Sequence, residues 1–284
     1  MTRISDIKAL VVYSSPAGTT RHVSQVIVTT LKDLEYKPEV IDVGNRDDRS
    51  NLNSSMKNVV NDYCLWIGSP VYAGHAVPPI MDFVSQLPVS KRSYAVPFIT
   101  WGGVSSGIAL YEMGKELSKN GYSVLGAAKI LAVHSLMWQF KNPLGEGHPN
   151  SEDDSMIESL VREIDSKLLK GYLHPFPLDG LNYQPKEIQE SMQRKSLEVA
   201  QQLLPLKELD EEACTQCGTC EEECPAQAIR CVPYPQFGQG CFLCYNCVRL
   251  CEAKAIKADF SQFEGVLRGM AENNAEHPLS QIFV

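Results

Sequence analysis

Short apolar runs alternate with amphipathic stretches along residues 1–172 of the chain. The apolar runs have the length of strands buried on both faces, and the stretches between them repeat apolar positions with helical spacing. The predicted strands lie at 9–15, 38–44, 63–70, 94–103 and 123–133, and the predicted helices at about 19–34, 77–87, 106–120 and 152–170. This rhythm predicts a doubly wound α/β domain with a five-stranded parallel sheet in the order 2-1-3-4-5.

Three loops of this domain follow the first, third and fourth predicted strands, at residues 15–21, 68–74 and 100–107. In sheets of this kind, ligands bind beyond the carboxyl ends of the strands, at the point where the strand order reverses. The chemistry of the N-terminal domain is therefore expected in these three loops.

The first loop is rich in small hydroxyl residues and leads directly into a predicted helix. Exposed backbone N–H groups and the helix dipole favour a phosphate at such a place. The candidate phosphate-binding residues are Ser15, Ala17, Gly18, Thr19 and Thr20. The loop contains neither the dinucleotide run G-x-G-x-x-G nor a Walker lysine, and an ordinary helix cap is the alternative to a phosphate site.

The second and third loops each place an aromatic residue among glycines at the end of a strand. A flavin ring is flat and largely apolar, so it needs flat contact surfaces and a close backbone, which glycine permits. The candidate flavin contacts are Ser69, Pro70, Val71, Tyr72, Ala73 and Gly74 in the second loop and Trp101, Gly102, Gly103 and Gly107 in the third. The alternative is that Tyr72 and Trp101 are surface aromatics beside turns.

Nine of the ten cysteines fall between Cys214 and Cys251. Segments 214–229 and 241–256 repeat each other, and each reads C-x2-C-x2-C-x3-C. This spacing is the bacterial signature of two [4Fe–4S] clusters, in which the fourth cysteine of each run binds the other cluster. Cluster I is therefore assigned to Cys214, Cys217, Cys220 and Cys251, and cluster II to Cys241, Cys244, Cys247 and Cys224.

Zinc is the alternative occupant of the cysteine runs. Structural zinc sites draw two cysteines from each of two separated C-x2-C pairs, which three evenly spaced cysteines do not match. One departure from the ferredoxin pattern is visible, because Cys251 is followed by Glu252 where the first run has a proline. Cys231 lies outside both runs and is interpreted as a free thiol of the core or a loop. Cys64 lies in an apolar run and is interpreted as a free thiol in a buried strand.

The chain as a whole resembles proteins in which a flavodoxin-like domain precedes a two-cluster bacterial ferredoxin. The first loop is similar to the flavodoxin phosphate loop T/S-x-T-G-x-T, with Ala17 in place of the central hydroxyl residue. The resemblance covers about 1–172 and 205–260. It implies a flavodoxin-like α/β sheet plus a small α+β ferredoxin domain, FMN as the flavin, and an electron-transfer role.

Four parts of the chain follow from these boundaries. Residues 1–172 are predicted to be the flavodoxin-like FMN-binding domain, and 207–260 the ferredoxin domain with two clusters. Between them, 173–206 form a linker with a helix at about 185–203. The C-terminal tail, 261–284, has a predicted helix at about 262–273 and is assigned no chemistry.

Charge and composition narrow the choice of partners. The net charge of −8 lacks the basic footprint of a nucleic-acid binder. No apolar segment reaches the length of a membrane span and the first apolar run is too short for a signal peptide, so a cytoplasmic protein is expected. Acidic residues around the first cysteine run favour steering toward a basic redox protein, with solubility as the alternative.

Three functions are open at this point. Electron transfer between the two clusters and FMN is the leading hypothesis, because both cofactor signatures lie on one chain and FMN links one-electron to two-electron chemistry. The second is an FMN-dependent reductase of a small substrate, fed by the clusters. His75 and His134 are candidate proton donors for it, and a packed or solvated histidine is the alternative for each. The third is a redox or iron–sulfur sensor that binds a protein partner.

Overall fold

The computed structural model describes residues 7–48, 63–90 and 92–284. Its strands are β1 (Lys8–Tyr13), β2 (Glu39–Asp42), β3 (Tyr63–Tyr72), β4 (His75–Ala76), β5 (Tyr94–Trp101), β6 (Ser123–Val124), β7 (Ala127–Leu131), β8 (Glu208–Leu209), β9 (Ile229–Cys231), β10 (Pro235–Phe237), β11 (Ile256–Lys257) and β12 (Gln281–Phe283). Its longer helices are α1 (Thr19–Asp33), α2 (Pro78–Ser85), α3 (Ala109–Lys119), α4 (Ser151–Lys170), α5 (Lys186–Arg194), α6 (Leu197–Leu203), α7 (Thr219–Glu222), α8 (Asn246–Arg249) and α9 (Phe263–Asn274).

Five of these strands form a parallel sheet in the predicted order. β1 pairs with β2 on one side and β3 on the other, β3 also pairs with β5, and β5 pairs with β7. Counted along the chain, this order is 2-1-3-4-5, so the predicted flavodoxin-like sheet is confirmed. The carboxyl ends of β1, β3 and β5, with the three candidate loops, therefore lie at one edge of the sheet.

The C-terminal segment adds a further strand to this sheet. β12 runs antiparallel to β7, with Ile282 opposite Ala128. The predicted strand at 123–133 is broken in two, and a side-chain Cβ at Gly126 in the break would lie 2.7 Å from the carbonyl oxygen of Phe283. The tail, which was assigned no chemistry, thus completes the edge of the first domain.

Apolar side chains form a core on each face of the sheet. Successive residues of a strand point to opposite faces, and in β3 Leu65 and Ile67 enter one core while Cys64 and Trp66 enter the other. Burial raises the pKa of the Cys64 thiol to about 12. The interpretation of Cys64 as a buried strand residue is therefore confirmed.

The helix predicted at 185–203 is two helices. Lys195 has an extended backbone, which ends α5, and the Ser196 side chain accepts a hydrogen bond from the amide of Val199 at the start of α6. In the described residues, no helix combines the length and apolar character that crossing a bilayer requires.

The cysteine-rich part, residues 207–260, is a small α+β unit. β8 pairs antiparallel with β11, and β9 pairs antiparallel with β10. The first pairing joins the two ends of the unit, with Leu209 opposite Ile256. The two short helices α7 and α8 contain Cys220 of the first run and Cys247 of the second. Asn246 Nδ2, at the start of α8, donates to the carbonyl oxygen of Glu223, just after α7, at 3.1 Å, so the two runs lie side by side.

Candidate functional site

The cysteine-rich part packs on the carboxyl edge of the sheet, where the three candidate loops lie. Arg249 Nη2 donates a hydrogen bond to the carbonyl oxygen of Pro16, in the loop after β1, at 2.9 Å. The ring of Phe242 stacks on the ring of Tyr72, at the end of β3, with centroids 5.9 Å apart. The two halves of the predicted redox machinery are therefore in direct contact.

Four cysteines converge on one small enclosed cavity within the cysteine-rich part. They are Cys224, Cys241, Cys244 and Cys247, the set assigned to cluster II. Burial, together with the nearby thiols, raises the pKa of Cys244 to about 12. Four thiolates repel each other in so small a space unless a cationic centre binds them, so this donor set fits an iron–sulfur cluster. In the described part of the chain, no three His, Cys, Asp or Glu side chains are placed to hold a single metal ion.

The fourth cysteines of the two runs have the same surroundings. Cys224 Sγ accepts a hydrogen bond from the amide of Ala228 at 3.3 Å, and Cys251 Sγ accepts one from the amide of Ala255 at 3.2 Å. The internal repeat is therefore structural as well as sequential. Glu252, in the place of the usual proline, leaves the turn after Cys251 equivalent to the turn after Cys224.

The cysteines assigned to cluster I are more accessible than those of cluster II. Cys217 is exposed, whereas Cys214, Cys220 and Cys251 are partly buried. Cys231 lies beside this group, because its Sγ is 3.8 Å from Cys220 Sγ. The sequence does not show this proximity, since Cys231 belongs to neither cysteine run. The β9–β10 hairpin brings it beside the cysteines assigned to cluster I.

Lys207 is a functional candidate that the sequence analysis did not single out. Its ammonium group donates to Cys241 Sγ at 3.5 Å and lines the four-cysteine cavity. It also lies over the rings of Phe237 and Tyr245, at 5.6 and 4.9 Å from their centroids. A positive charge beside a cluster ligand stabilises the reduced, more negative form of the cluster.

Replacing Lys207 with glutamine is expected to lower the reduction potential of cluster II by on the order of tens of millivolts. The physical reason is the loss of a charge that offsets the added electron. An anaerobic redox titration followed by EPR measures the potential. Lys257→Gln, which breaks an exposed ion pair with Asp210 in the same part of the chain, is the matched control. Equal potentials in Lys207→Gln and the wild type would contradict this role.

A larger cavity, of about 560 Å³, opens at the ends of β3, β5 and β7. The flavodoxin-like domain contributes Val71, Tyr72, Ala73, Gly74 and Gly102 to its wall. The volume lies in the usual range for cofactor and ligand sites. The second and third candidate loops therefore meet around a space of the right size for a flavin ring.

These two loops are fitted to each other at Gly74 and Gly107. The amide of Ile108 donates to the carbonyl oxygen of Gly74 at 2.8 Å. Gly107 has a φ of +61°, and a Cβ at this position would lie 2.0 Å from the same oxygen. Only glycine permits this approach, so Gly107 shapes the cavity by holding the second loop rather than by lining the space.

Several predicted flavin contacts lie outside the cavity wall. Trp101 is buried, and its indole Nε1 donates to the carbonyl oxygen of Leu279 at 2.8 Å, beneath the C-terminal segment. The Ser69 hydroxyl accepts from the amide of Val77 at 2.9 Å and so fixes the turn after β3. The other candidates outside the wall are Pro70 and Gly103, with Gly107 as described.

The loop after β1 also lies outside the cavity wall, and it has open hydrogen-bonding groups of its own. The Ser15 hydroxyl accepts from the amide of Arg21 at 2.8 Å and so caps one N–H of the first turn of α1, as in an ordinary helix cap. Gly18 at the N-cap provides no side chain and the first turn has no acidic residue, which leaves the other N–H groups of this turn for an anion. The Ser14 hydroxyl, next to the loop, is fully buried and has no partner among the described residues. These groups fit a phosphate. Thr20, by contrast, is hydrogen-bonded to Thr100 through their hydroxyls at 2.7 Å.

The two candidate histidines have different surroundings. His75 Nδ1 lies 3.0 Å from the carboxylate of Glu112, and this hydrogen bond raises the pKa of His75. Its Nε2 donates to the carbonyl oxygen of Lys195 at 2.8 Å, so His75 anchors the linker. His134 lines the larger cavity, and burial lowers its pKa to about 4. Its Nδ1 accepts from the amide of Leu136, which leaves the proton of the neutral ring on Nε2.

Comparison with known proteins identifies the cysteine-rich part. Residues 207–230 match the 4Fe-4S binding domain family, over the first of the two runs. No curated protein sequence matches the chain. The chain therefore joins a flavodoxin-like domain, defined by its strand order, to a 4Fe–4S binding domain.

Several solved structures are similar to a little more than half of this chain. Rubredoxin oxygen:oxidoreductase from Desulfovibrio gigas is 15% identical over 57% of this chain and 36% of its own, with a TM-score of 0.44. A flavodoxin from the domain Archaea is 18% identical over 57% and 99%, also at 0.44. The flavodiiron core from Synechocystis sp. PCC6803 is 18% identical over 60% and 38%, again at 0.44. The chain thus spans little more than a third of the first and third of these proteins.

Proposed function

We propose that the protein transfers electrons between two [4Fe–4S] clusters and an FMN bound at the carboxyl edge of the flavodoxin-like sheet. One observation carries this proposal: Phe242 lines both the four-cysteine cavity and the larger cavity between the candidate flavin loops. Its contact with Tyr72 supports cluster II as the neighbour of the flavin. Cluster I, with the exposed Cys217, is then the cluster nearer to an external redox partner.

FMN, when bound, supplies chemistry that exchanges either one or two electrons. The chain supplies position, polarity and exclusion of water. Phe242 is almost fully buried and is the residue that the walls of the two cavities share. The Tyr72 hydroxyl is buried at the wall of the larger cavity, beside the Ser135 side chain, and makes no hydrogen bond of ordinary geometry among the described residues. It is therefore available as a donor to a bound group.

Stopped-flow mixing under anaerobic conditions tests the proposal. Protein with reduced clusters is expected to reduce its own flavin, seen as bleaching of the flavin absorbance, at a rate independent of protein concentration. A rate that rises in proportion to protein concentration would show transfer between molecules and sink the intramolecular route.

Phe242→Leu is expected to slow this flavin reduction several-fold, because it removes the aromatic ring shared by the two cavities. Phe237→Leu is the matched control, since Phe237 lines the four-cysteine cavity but not the larger one. If flavin is reduced at the same rate in both variants, with iron and flavin contents unchanged, Phe242 is not part of the electron-transfer route.

We also propose a redox protein as the partner at cluster I. Glu211, Glu212, Glu222 and Glu223 are exposed around the first cysteine run, and their charge favours a basic partner surface. The rate of cluster reduction by a basic ferredoxin or cytochrome should fall as salt is added. A rate indifferent to salt would count against steering. A cytoplasmic location stays a prediction.

A second candidate function is favoured by the outer wall of the larger cavity. α6 and α9 line it with apolar side chains, which are Leu197, Val199, Ala200, Leu203, Phe263, Val266, Leu267 and Met270. This wall suits a small neutral apolar acceptor beside the flavin, with His134 Nε2–H as a hydrogen-bond donor. Anaerobic turnover of neutral quinones or enones by the reduced protein tests it, and reduction of dyes alone would argue against it.

A further inference from the structure

Arg249 is a cation that meets no acidic side chain among the described residues. It is partly buried in α8, and its guanidinium donates to the carbonyl oxygen of Pro16 at 2.9 Å and to Asn246 Oδ1 at 3.1 Å. The guanidinium also lies over the ring of Trp138, 5.5 Å from its centroid. Its positive charge is therefore held against the loop after β1 without neutralisation.

The other arginine beside this loop is already paired. Arg21 Nη2 donates to the carboxylate of Asp42 at 3.0 Å. The loop itself offers the remaining N–H groups at the start of α1 and the unpaired Ser14 hydroxyl, but the Ser15 hydroxyl already accepts from the amide of Arg21 and Ala17 provides no side-chain donor. The loop thus has room for an additional donor, and Arg249 is the unpaired charge in contact with it.

We propose that Arg249 binds the phosphate of the flavin, so that the cysteine-rich part completes the phosphate site of the flavodoxin-like domain. This inference rests on the proposed function, since it assumes that FMN occupies the site. A guanidinium presents a planar fork of N–H donors that matches phosphate oxygens, and such charge-assisted bonds are stronger than neutral ones. The contact with Pro16 places the fork at the loop before the flavin arrives.

Comparing FMN with riboflavin, which lacks the phosphate, tests this role. Flavin-depleted protein with intact clusters is dialysed to equilibrium against each flavin without oxygen. In Arg249→Gln, the dissociation constant for FMN is expected to rise about ten- to a hundredfold, the usual value of a hydrogen bond to a charged group. The constant for riboflavin is expected to stay unchanged.

Arg230→Gln is the matched control, because Arg230 is an exposed arginine of the same part that pairs with Glu221 at 3.2 Å. It should bind both flavins as the wild type does. Iron and sulfide contents equal to those of the wild type show that each variant is assembled.

Two results would overturn the role of Arg249 alone. One is an equal loss of FMN and riboflavin affinity, which would show that Arg249 only holds the two parts together. The other is wild-type FMN affinity in the variant. A wild-type protein that binds neither flavin would overturn the proposed function as well, so the two failures are distinguishable.

Discussion

Glu276→Gln is expected to lower the free energy of unfolding by about 3–5 kcal/mol, because it leaves the Lys129 ammonium buried without a counter-charge. The ammonium lies 2.6 Å from Glu276 Oε1, and the two side chains are only 1% and 7% exposed. Removing one partner of a buried pair is far more costly than removing both, since the surviving charge stays desolvated.

Further hydrogen bonds and aromatic rings surround the Lys129–Glu276 pair, so the Lys129 ammonium is expected to stay desolvated in the Glu276→Gln variant. The Glu276 carboxylate also accepts from the amide of Ser106 and from Gln184 Nε2, both at 2.8 Å. The Lys129 ammonium lies over the rings of Tyr183 and Trp101, at 4.7 and 5.5 Å from their centroids. The pair therefore ties together the sheet, the third loop, the linker and the C-terminal segment.

Thermal unfolding followed by circular dichroism measures the effect, with an expected fall in Tm on the order of 10 °C. Asp210→Asn, which breaks the exposed pair with Lys257 at 2.9 Å, is the control and should leave Tm close to that of the wild type, because exposed ion pairs contribute little to stability. The double variant Lys129→Met/Glu276→Leu should regain much of the loss, because no charge stays buried. Tm values for Glu276→Gln and Asp210→Asn that coincide would contradict the argument.

The same pair predicts an acid dependence of stability. Burial alone would raise the pKa of Glu276, but Lys129 and Ser106 outweigh it and hold the pKa below the ordinary value of 4.5. The contribution of this carboxylate is therefore complete above about pH 4.5 and is lost as the pH falls through the lowered pKa. When the free energy of unfolding is measured as a function of pH, it should fall less in acid for Glu276→Gln than for the wild type.

Cys224→Ser and Cys244→Ser are expected to remove the same cluster, although the two residues lie in different cysteine runs. Both line the four-cysteine cavity assigned to cluster II. Each variant should fall from about eight to about four iron atoms per chain, which is the loss of one cubane. In each variant cluster I should no longer reduce the flavin, because cluster II is proposed to lie between cluster I and the flavin.

Iron and sulfide analysis, EPR of the reduced protein and stopped flow check this prediction. Cys217→Ser is the contrasting variant, since it should remove cluster I and leave the EPR signal of cluster II. Cys64→Ser is the structural control and should keep both clusters. Different remaining EPR signals in Cys224→Ser and Cys244→Ser would refute the crossed assignment.

Most strands and helices of the chain follow from its local apolar pattern. The parallel strands β1, β3 and β5 are almost continuous apolar runs, and their order follows from general rules of α/β sheets. The glycine and hydroxyl residues at their ends predicted a site at the edge of the sheet where the larger cavity opens. The spacing of the cysteines predicted which four side chains converge on one cavity.

Features that depend on distant partners were not predictable in this way. Lys129 lies inside an apolar run, and the cost of burying its charge is offset by the ion pair with Glu276, which is distant in the sequence. Trp101 is predicted to be a flavin contact from its place at a strand end, but its indole donates to the carbonyl oxygen of Leu279, which lies 178 residues further along the chain and just before β12. No local pattern shows this partner. Lys207 and Arg249 carry no local signature, since their importance comes from what folds against them.

The position of β12 has a consequence for the order in which the protein is made. Its residues emerge from the ribosome after the entire cysteine-rich part, yet they complete the sheet that the first residues began. Nascent chains therefore expose the edge of β7 and a lone Lys129 while the cysteine runs are already available for iron and sulfide. The flavodoxin-like sheet therefore stays open at β7 until the C-terminal segment has been synthesised.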